Sequence, residues 1–578
     1  MQALNSTDFY KTSHGAMMED GTNLIYSNFT PRSSRLAQVI RDQYDDCIVW
    51  FGLQGFLKEV FMKEWRNDFF GAPKEYAVER YKRRMDTSLG PGKVTVEHIE
   101  ALHDLGYLPL VIKSLPEGAR VPIKVPAFTI YNTNPDFPWL TNYVETLLSC
   151  ELWKPSTTAT IAFEYKKLLM EYAVKTGTPE EFVVVQGHDF SARGMSGMHD
   201  AATSGGGHLL SFIGTDTIPA IDRMEQYYNA NADEEMIGCS VPATEHMVMC
   251  LGQKDTEINT FKRLIKDDYP TGIISIVSDT WDLFKVITEY TVELKDDILA
   301  RQPDEWGLCK TVFRPDSGDP ADILCGIEVK SLTNPPEDFE TWKEWVAEVM
   351  DDKFREELDA EDPHYLDEAM YRFGDKVYKV TYEPDLNRHD KTYYYVDNWG
   401  STVSKCNFTE VELTPQQKGA VECLWEVFGG TETEKGYKML NDKVGLIYGD
   451  SITLERAKDI MERLEAKGFA SGNVVFGIGS YTYQYVTRDT FGFAMKATYA
   501  EVNGMPRELF KDPITDSGVK KSAKGLLRVE LDNGKYVMYD QQDWYGESHG
   551  ELKEVFRNGQ LVKETSLQEI RDRLNSYL

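Results

Sequence analysis

The chain has 578 residues, 41% hydrophobic and 12% aromatic, which is enough for more than one packed unit and too apolar for a disordered chain. Its formal charge of −31 excludes a surface built to coat nucleic acid or an anionic membrane, so a phosphate ligand must be met by basic residues gathered locally. The eight cysteines are scattered without a CxxC pair, which argues against a zinc site or a disulfide framework and for a cytoplasmic location.

The N-terminal MQALNSTDFYKTSHG has no apolar core, so no secretory signal is expected; no stretch reaches the about 18–20 apolar residues of a membrane span. Within 1–150, "CIVWFGLQGFLKEVFMKEW" (47–65) predicts a strand running into an amphipathic helix. "GARVPIKVPAFTIYNT" (118–133) alternates and carries prolines, as edge strands or a hairpin do. From about 150, helical stretches such as "IAFEYKKLLMEYAVKTG" (161–177) alternate with short apolar runs. These runs are "FVVVQG" (182–187), "HLLSFIG" (208–214), "IGCSVP" (237–242), "GIISIVSD" (272–279), "CKTVFR" (309–314), "VGLIYGD" (444–450) and "NVVFGIG" (473–479). Near-continuous apolarity predicts parallel strands buried on both faces.

Each run is followed by chemistry: His188-Asp189, Asp216, Glu245-His246, Asp279, Arg314-Asp316, Asp450 and Gly479 in turn. Groups set after the C-terminal ends of successive parallel strands converge on one rim of an α/β barrel. The expected fold is therefore an irregular, TIM-like α/β barrel, with an open doubly wound sheet as the alternative. The barrel would use 151–325 and 420–499, flanked by an α+β domain from 1–150 and 500–578. Residues 326–419 read as an α+β insertion, either a lid, a partner surface or an accessory decoration. Its stretch 337–368 holds fourteen Asp or Glu against three Lys or Arg, with Trp342, Trp345 and Val349 expected on one helix face. "KVYKVTYEPDLNRHDKTYYYVD" (376–397) reads as a hairpin, as does "LLRVELDNGKYVMYD" (526–540), and "SLQEIRDRLNSYL" as a closing helix.

Five stretches carry most of the chemistry. In "VFRPDSGDP" (312–320) a strand delivers Arg314, and Ser317-Gly318 turns tightly; Arg314 would clamp a phosphate and Asp316 a sugar diol, unless the two merely pair within a loop. In "VVFGIGSYTYQYVTRD" (474–489), Gly477, Gly479 and Ser480 open a helix where a phosphate fits, with Arg488, Lys496, Lys511, Lys520 and Lys521 downstream as its charge partners or as plain solvated cations. "HDFSARG" (188–194) offers Phe190 for stacking and Arg193 for a phosphate, and "GTDT" (214–217) offers Asp216 as an acceptor for an amide or as a helix cap. "IGCSVPATEHMVMC" (237–250) sets His246 just past a strand at a helix start, with Glu245 beside it to orient the ring.

Together "TDFYKTSH", "HDFSARGMSG", "FIGTDT", "SVPATEH", "SIVSDTWD", "FRPDSGDP", "YGDS", "FGIGS", "TRD" and "FKDP" resemble the successive blocks of the nicotinamide phosphoribosyltransferase family, in order and over nearly all the chain outside 326–419. The resemblance implies transfer of 5-phosphoribosyl from its 1-pyrophosphate (PRPP) to nicotinamide with Mg²⁺, and ATP as a co-substrate that phosphorylates His246. It also implies a homodimer with shared active sites. Phe190 of one subunit and Tyr10 of the other would sandwich the pyridine, Asp216 would accept the carboxamide N–H, and Arg314 would face the same ring. Arg193, Arg314, Asp316, Gly449, Asp450, Gly479 and Ser480 would hold the ribose and its phosphate. Lys11, Arg32, Arg488, Lys496 and Lys511 would face pyrophosphate or nucleotide phosphates, with Asp8, His188, Glu245, Ser275 and Asp279 lining the site. Catalysis is expected at His246, Asp216, Arg314 and Asp316. The chain departs from the family pattern at Ala192, Ser451, Ile478, Ser480 and Tyr481. The competing readings are a nicotinate-specific enzyme, an inactive relative acting as a binding protein, and a metal-dependent barrel lyase.

Overall fold

The structure, a computed structural model, describes residues 3–37, 44–358, 368–382, 386–389, 392–395, 405–511 and 523–578. Two sheets organise it. The first is antiparallel and interleaves both ends of the chain, in the order Met505–Glu508, Ala494–Val502, Thr22–Thr30, Phe128–Asn132, Leu110–Ser114, Lys553–Arg557, Gln560–Leu561. Phe128–Asn132, expected at an edge, is paired on both sides: Pro122 and Pro126 lie outside it, so its amides are free for the ladder.

The second sheet is parallel throughout, in the order Gly214–Thr215, Gly187–Asp189, Val474–Ile478, Val444–Tyr448, Cys309–Arg314, Gly272–Val277. Both of its edges bond to one extended segment. Cys239 exchanges backbone hydrogen bonds with Ile213 and Thr215 (2.6 and 2.9 Å), and Ser275 does so with Pro242 and Thr244 (2.9 Å each). Neighbours around this ring follow chain order, and the last strand pairs with the first through Phe476 and Gly187. Every C-terminal strand end thus faces the same side.

Three of the seven expected strands are shorter than read. Val183–Gln186 is a helical turn, with Gly187–Asp189 the strand; Met198–His208 is a helix, with Gly214–Thr215 the strand; residues 237–242 bond only through isolated bridges. Apolar runs are buried in either conformation, so apolarity alone does not choose between them. His208 shows what decided the second case: its ring bonds Tyr483 Oη (2.8 Å) and Gly214 O (2.9 Å), which anchors the helix end beneath the strand.

The helix Glu145–Thr176 is the brace between the two sheets. It ends at Gly177, whose φ of 76° breaks the helix. Its hydroxyls hold the strand after Asp46: Thr160 Oγ1 accepts Val49 N (2.8 Å) and Ser156 Oγ accepts Phe51 N (3.1 Å). Helix Met198–His208 crosses it at Gly207, where a Cβ would lie 2.6 Å from the Pro155 carbonyl oxygen and 2.9 Å from Ala159 N.

The insertion leaves after helix Pro320–Cys325 and returns beside it, where Ile327 N bonds Gln417 O (3.0 Å). It has its own core around Trp342, Val346, Met350, Tyr371, Tyr378 and Val380. Trp345 and Val349, expected on the same face as Trp342, are exposed, because the buried stripe runs Trp342-Val346-Met350 at four-residue spacing. The hairpin expected over 376–397 is not formed as such: Lys376–Tyr382 pairs with Glu368–Phe373 and Cys406–Val411, and Leu386–His389 pairs with Thr392–Tyr395. The tail behaves as read, with hairpin Leu526–Asp532/Lys535–Gln542 and helix Leu567–Asn575 opened by a Ser566–Glu569 capping box. No described helix is long and apolar enough to cross a membrane.

Gly207→Ala is expected to lower unfolding free energy by about 1–3 kcal/mol, since the crossing helices must separate to admit the methyl group; urea unfolding of the purified variant measures this.

Candidate active site

The rim of the parallel ring gathers the residues that the sequence placed there. Phe190 stands just past the strand Gly187–Asp189, held by a bond from its N to Ile478 O (3.0 Å). Its ring lies over two glycines: a side chain at Gly477 would collide with it, and one at Gly449 would come within 3.2 Å. The His188 ring leans on it at 4.7 Å between centroids. The buried Asp189 carboxylate secures the following turn by accepting Ser191 N (2.9 Å) and Thr217 Oγ1 (2.8 Å). Asp189 is thus a brace, its carboxylate spent within the turn.

Asp216 accepts His188 Nε2 at 2.9 Å and Ser240 Oγ at 2.6 Å, both on Oδ1. Its side chain is 49% exposed. Burial raises its carboxyl, but the bonds from His188 and Ser240 and the charges of His188 and Arg314 outweigh that and leave it below the usual carboxylate range. Arg314 reaches across to donate to Thr244 O (2.6 Å). Burial lowers its affinity for its proton, and the nearby carboxylates of Asp316, Asp216 and Asp279 oppose that.

Asp279 ties the opposite half of the rim together. Its Oδ2 accepts Asp316 N (2.8 Å) and Ser317 Oγ (2.6 Å), and its Oδ1 lies 3.3 Å from His246 Nε2. His246 opens the short helix His246–Leu251 and is half exposed. Its ring partner is Asp279 and not Glu245, which points to solvent: Glu245 is the extended residue before the helix, and its side chain makes no cap bond. Tyr448 Oη holds the Ser317-Gly318 turn through Gly318 O (2.8 Å). Asp450 lies close enough for its charge to act on Asp316. Ser451 adopts φ 49°, a region that favours glycine, and Arg456 holds it there through Ser451 O (2.6 Å). Gly479 precedes the short helix Ser480–Tyr483, and Ser480 packs against Gly194 beside Arg193. Ser275 lies on the strand Gly272–Val277, and its Oγ is buried without a partner among the described residues.

A second set lies on the antiparallel sheet and its approaches. Lys496, Arg32, Lys11 and Lys511 are close enough to act on one another electrostatically, with Arg488 next to Arg32. Burial lowers Lys496, and the neighbouring cations add to this against the pull of Glu145. Lys11 pairs with Glu145, and Arg488 with Asp489 at 3.4 Å; Arg32, Lys496 and Lys511 have no ion pair among the described residues. Asp8 accepts Thr146 Oγ1 (2.6 Å), and the Tyr10 ring is 58% exposed. No hydrogen bond or ion pair among the described residues joins this set to the rim. Lys520 and Lys521 lie outside the described residues.

Ser240, Thr244, Tyr448 and Arg456 escaped the sequence reading. Ser240 was findable: it stands two residues after Gly238 in an extended segment, hence on the same face, beside the strand that delivers Asp216.

The sequence pattern described as the Nicotinate phosphoribosyltransferase (NAPRTase) family matches residues 185–377 and 404–560. Over its full length the chain is 53% identical to a protein of Acinetobacter baylyi named nicotinamide phosphoribosyltransferase, covering 97% of it. It is 29% identical to a protein of that name from Mycoplasma pneumoniae (89% of this chain, 93% of that one) and 27% identical to one from Xanthomonas campestris (98% and 97%).

Burial raises the Asp316 carboxyl, with Asp279 and Asp450 adding to it and Arg314 opposing. A raised carboxyl is penalised when it ionises, so the penalty is absent below the ordinary 3.8 and grows as pH rises through the folded value. Asp316→Asn is therefore expected to stabilise the fold at pH 7 by up to about 1 kcal/mol, with less gain near pH 4. Thermal unfolding at the two pH values checks this.

Proposed function

Because the chain belongs to the nicotinate phosphoribosyltransferase (NAPRTase) family, we propose that it joins nicotinamide N1 to C1 of PRPP, forming nicotinamide mononucleotide and releasing pyrophosphate. The observation that carries this reading is the rim itself: a half-exposed carboxylate at Asp216, held ionised, beside an aromatic platform at Phe190 and a guanidinium at Arg314.

Pyridine N1 is already unprotonated at neutral pH, so no general base is required. The bond from N1 to C1 forms as the bond from C1 to pyrophosphate breaks, with positive charge building on the ribose ring. Positioning and electrostatics supply the rate. Phe190 orients the ring and Asp216 accepts the carboxamide N–H. Arg193, Arg314, Asp316, Gly449, Asp450, Gly479 and Ser480 hold the ribose and its phosphate. The cationic set of Lys11, Arg32, Arg488, Lys496 and Lys511 suits the leaving pyrophosphate, and phosphate binding relieves the repulsion that depresses Lys496.

Among the described residues that set and the rim share no bond within one chain, which supports a homodimer whose active sites combine the rim of one subunit with Tyr10, Lys11 and their neighbours from the other. Asp279, Asp316 and Asp450 crowd one side of the rim, yet no three described His, Cys, Asp or Glu residues are placed to hold a metal alone. Such a site suits Mg²⁺ carried mainly by substrate phosphates, where it would neutralise charge on the departing pyrophosphate. His246, exposed and seated on Asp279, is assigned the ATP-dependent step, taking the γ-phosphoryl group and releasing ADP. The ring is read as an irregular, TIM-like barrel of 151–325 with 420–499, flanked by 1–150 with 500–578. Eight free cysteines suit a cytoplasmic enzyme.

Purified protein given PRPP, Mg²⁺ and either pyridine is expected to make nicotinamide mononucleotide far faster than the nicotinate product. A charge-assisted bond to Asp216 is worth roughly 1.5–3 kcal/mol, so Asp216→Asn is expected to reduce that preference about 10–100-fold in kcat/KM. A wild-type enzyme that prefers nicotinate, or an Asp216→Asn variant with unaltered preference, would overturn the assignment. Adding ATP is expected to raise the mononucleotide yield of the wild type and to leave that of His246→Ala where it was; equal stimulation of both refutes the phosphorylation role.

A further inference from the structure

Asp216 presents its two oxygens unequally. Oδ1 takes both His188 Nε2 (2.9 Å) and Ser240 Oγ (2.6 Å), whereas Oδ2 takes no hydrogen bond from any described residue. A carboxylate oxygen has two lone pairs, so two donors on Oδ1 saturate it and stop the group turning about Cβ–Cγ. The donors come from ring members on either side of the Asp216 segment, His188 from Gly187–Asp189 and Ser240 from the segment bonded to Gly214. Of the two donors, His188 is also held by its surroundings. The His188 ring is wedged between Phe190, 4.7 Å away between centroids, and the Gly214 backbone, where a Cβ would lie 2.9 Å from Nδ1.

We propose that His188 and Ser240 are positioning residues that set the choice of pyridine by engaging one oxygen of Asp216 and leaving the other as a fixed, unshared acceptor. The inference rests on the functional reading above and deepens it. The arrangement acts in two ways. It aims Oδ2, with its full acceptor capacity, at a carboxamide N–H. It also withdraws two donors that a nicotinate carboxylate would otherwise use, because the His188 N–H and the Ser240 O–H are spent on Oδ1. Arg314 is a further donor nearby, and one of its amino groups is already committed to Thr244 O (2.6 Å). A pyridine carrying a carboxylate therefore meets an anion and few free donors, while one carrying an amide meets a ready acceptor. Removing either donor frees the carboxylate to rotate and, for Ser240→Ala, opens space without adding charge.

The test compares kcat and KM for nicotinamide and nicotinate in wild type, Ser240→Ala, Ser240→Thr, His188→Leu and His188→Gln. Ser240→Ala and His188→Leu are expected to raise KM for nicotinamide more than they lower kcat, and to cut the nicotinamide-to-nicotinate ratio of kcat/KM about tenfold, the size of one hydrogen bond to a charged group. Ser240→Thr keeps the hydroxyl, and His188→Gln keeps a donor near the Nε2 position. Both are expected to hold the ratio within about threefold of wild type, a rescue that a merely structural role would not produce. If Ser240→Ala and His188→Leu weaken the two pyridines equally, or change neither, the positioning role is wrong while the enzyme's assignment stands. If wild type makes no nucleotide from nicotinamide, the functional reading itself has failed.

Discussion

Six residues carry the architecture of the site. From Cys239 to Thr244 the chain is extended, bonded at one end to the strand Gly214–Thr215 and at the other to Gly272–Val277. Without those backbone bonds the six parallel strands would be an open sheet with two distant edges. With them, Asp216 and Ser240 become neighbours on one flank, and Thr244 receives Arg314 on the other. The same segment then delivers His246 onto Asp279. Pro242 limits the bonds it can make, which accounts for isolated bridges in place of a regular strand.

Electrostatics at the rim and on the antiparallel sheet is unbalanced in a way that stability alone does not explain. Asp316 is held above its ordinary range by burial and by neighbouring carboxylates, and Lys496 below its own by burial and neighbouring cations. Each costs folding free energy in the unliganded protein. On the proposed reading, a phosphate would relieve the lysine side and a cation the carboxylate side. On a chain of net charge −31, such a cationic patch must overcome its own protein's field by local arrangement, as Lys496 on the strand Ala494–Val502 and Arg32, two residues past Thr22–Thr30, do. The Ser451 turn follows the same logic on a smaller scale: a residue in a glycine-favouring conformation persists because Arg456 grips its carbonyl.

The insertion stands apart from this. It hangs from the Ile327–Gln417 neck after the helix that follows the Arg314 loop, and its aromatic core is separate from the main one. Its acidity keeps its outer face solvated, and its interior is settled by Trp342, Val346 and Met350 facing their own small sheet.

The order of apolar runs and the polar groups after them were legible in the residues, because burial on both faces demands apolarity and strand ends demand solvation. Hence the sequential parallel ring, the rim and most of its members, including Asp216, His246, Arg314 and Asp316, were readable before any coordinates. Local conformation within the runs was not: Val183–Gln186 is a helical turn and residues 208–211 a helix end and turn, and their composition is the same either way. Partnerships were also hidden. His246 sits next to Glu245 in the chain but bonds Asp279, thirty-three residues on, and Ser240 meets Asp216 only because a ring of hydrogen bonds sets their segments side by side. Side-chain type is local information, whereas which two groups share a hydrogen bond depends on distances that only the folded backbone defines.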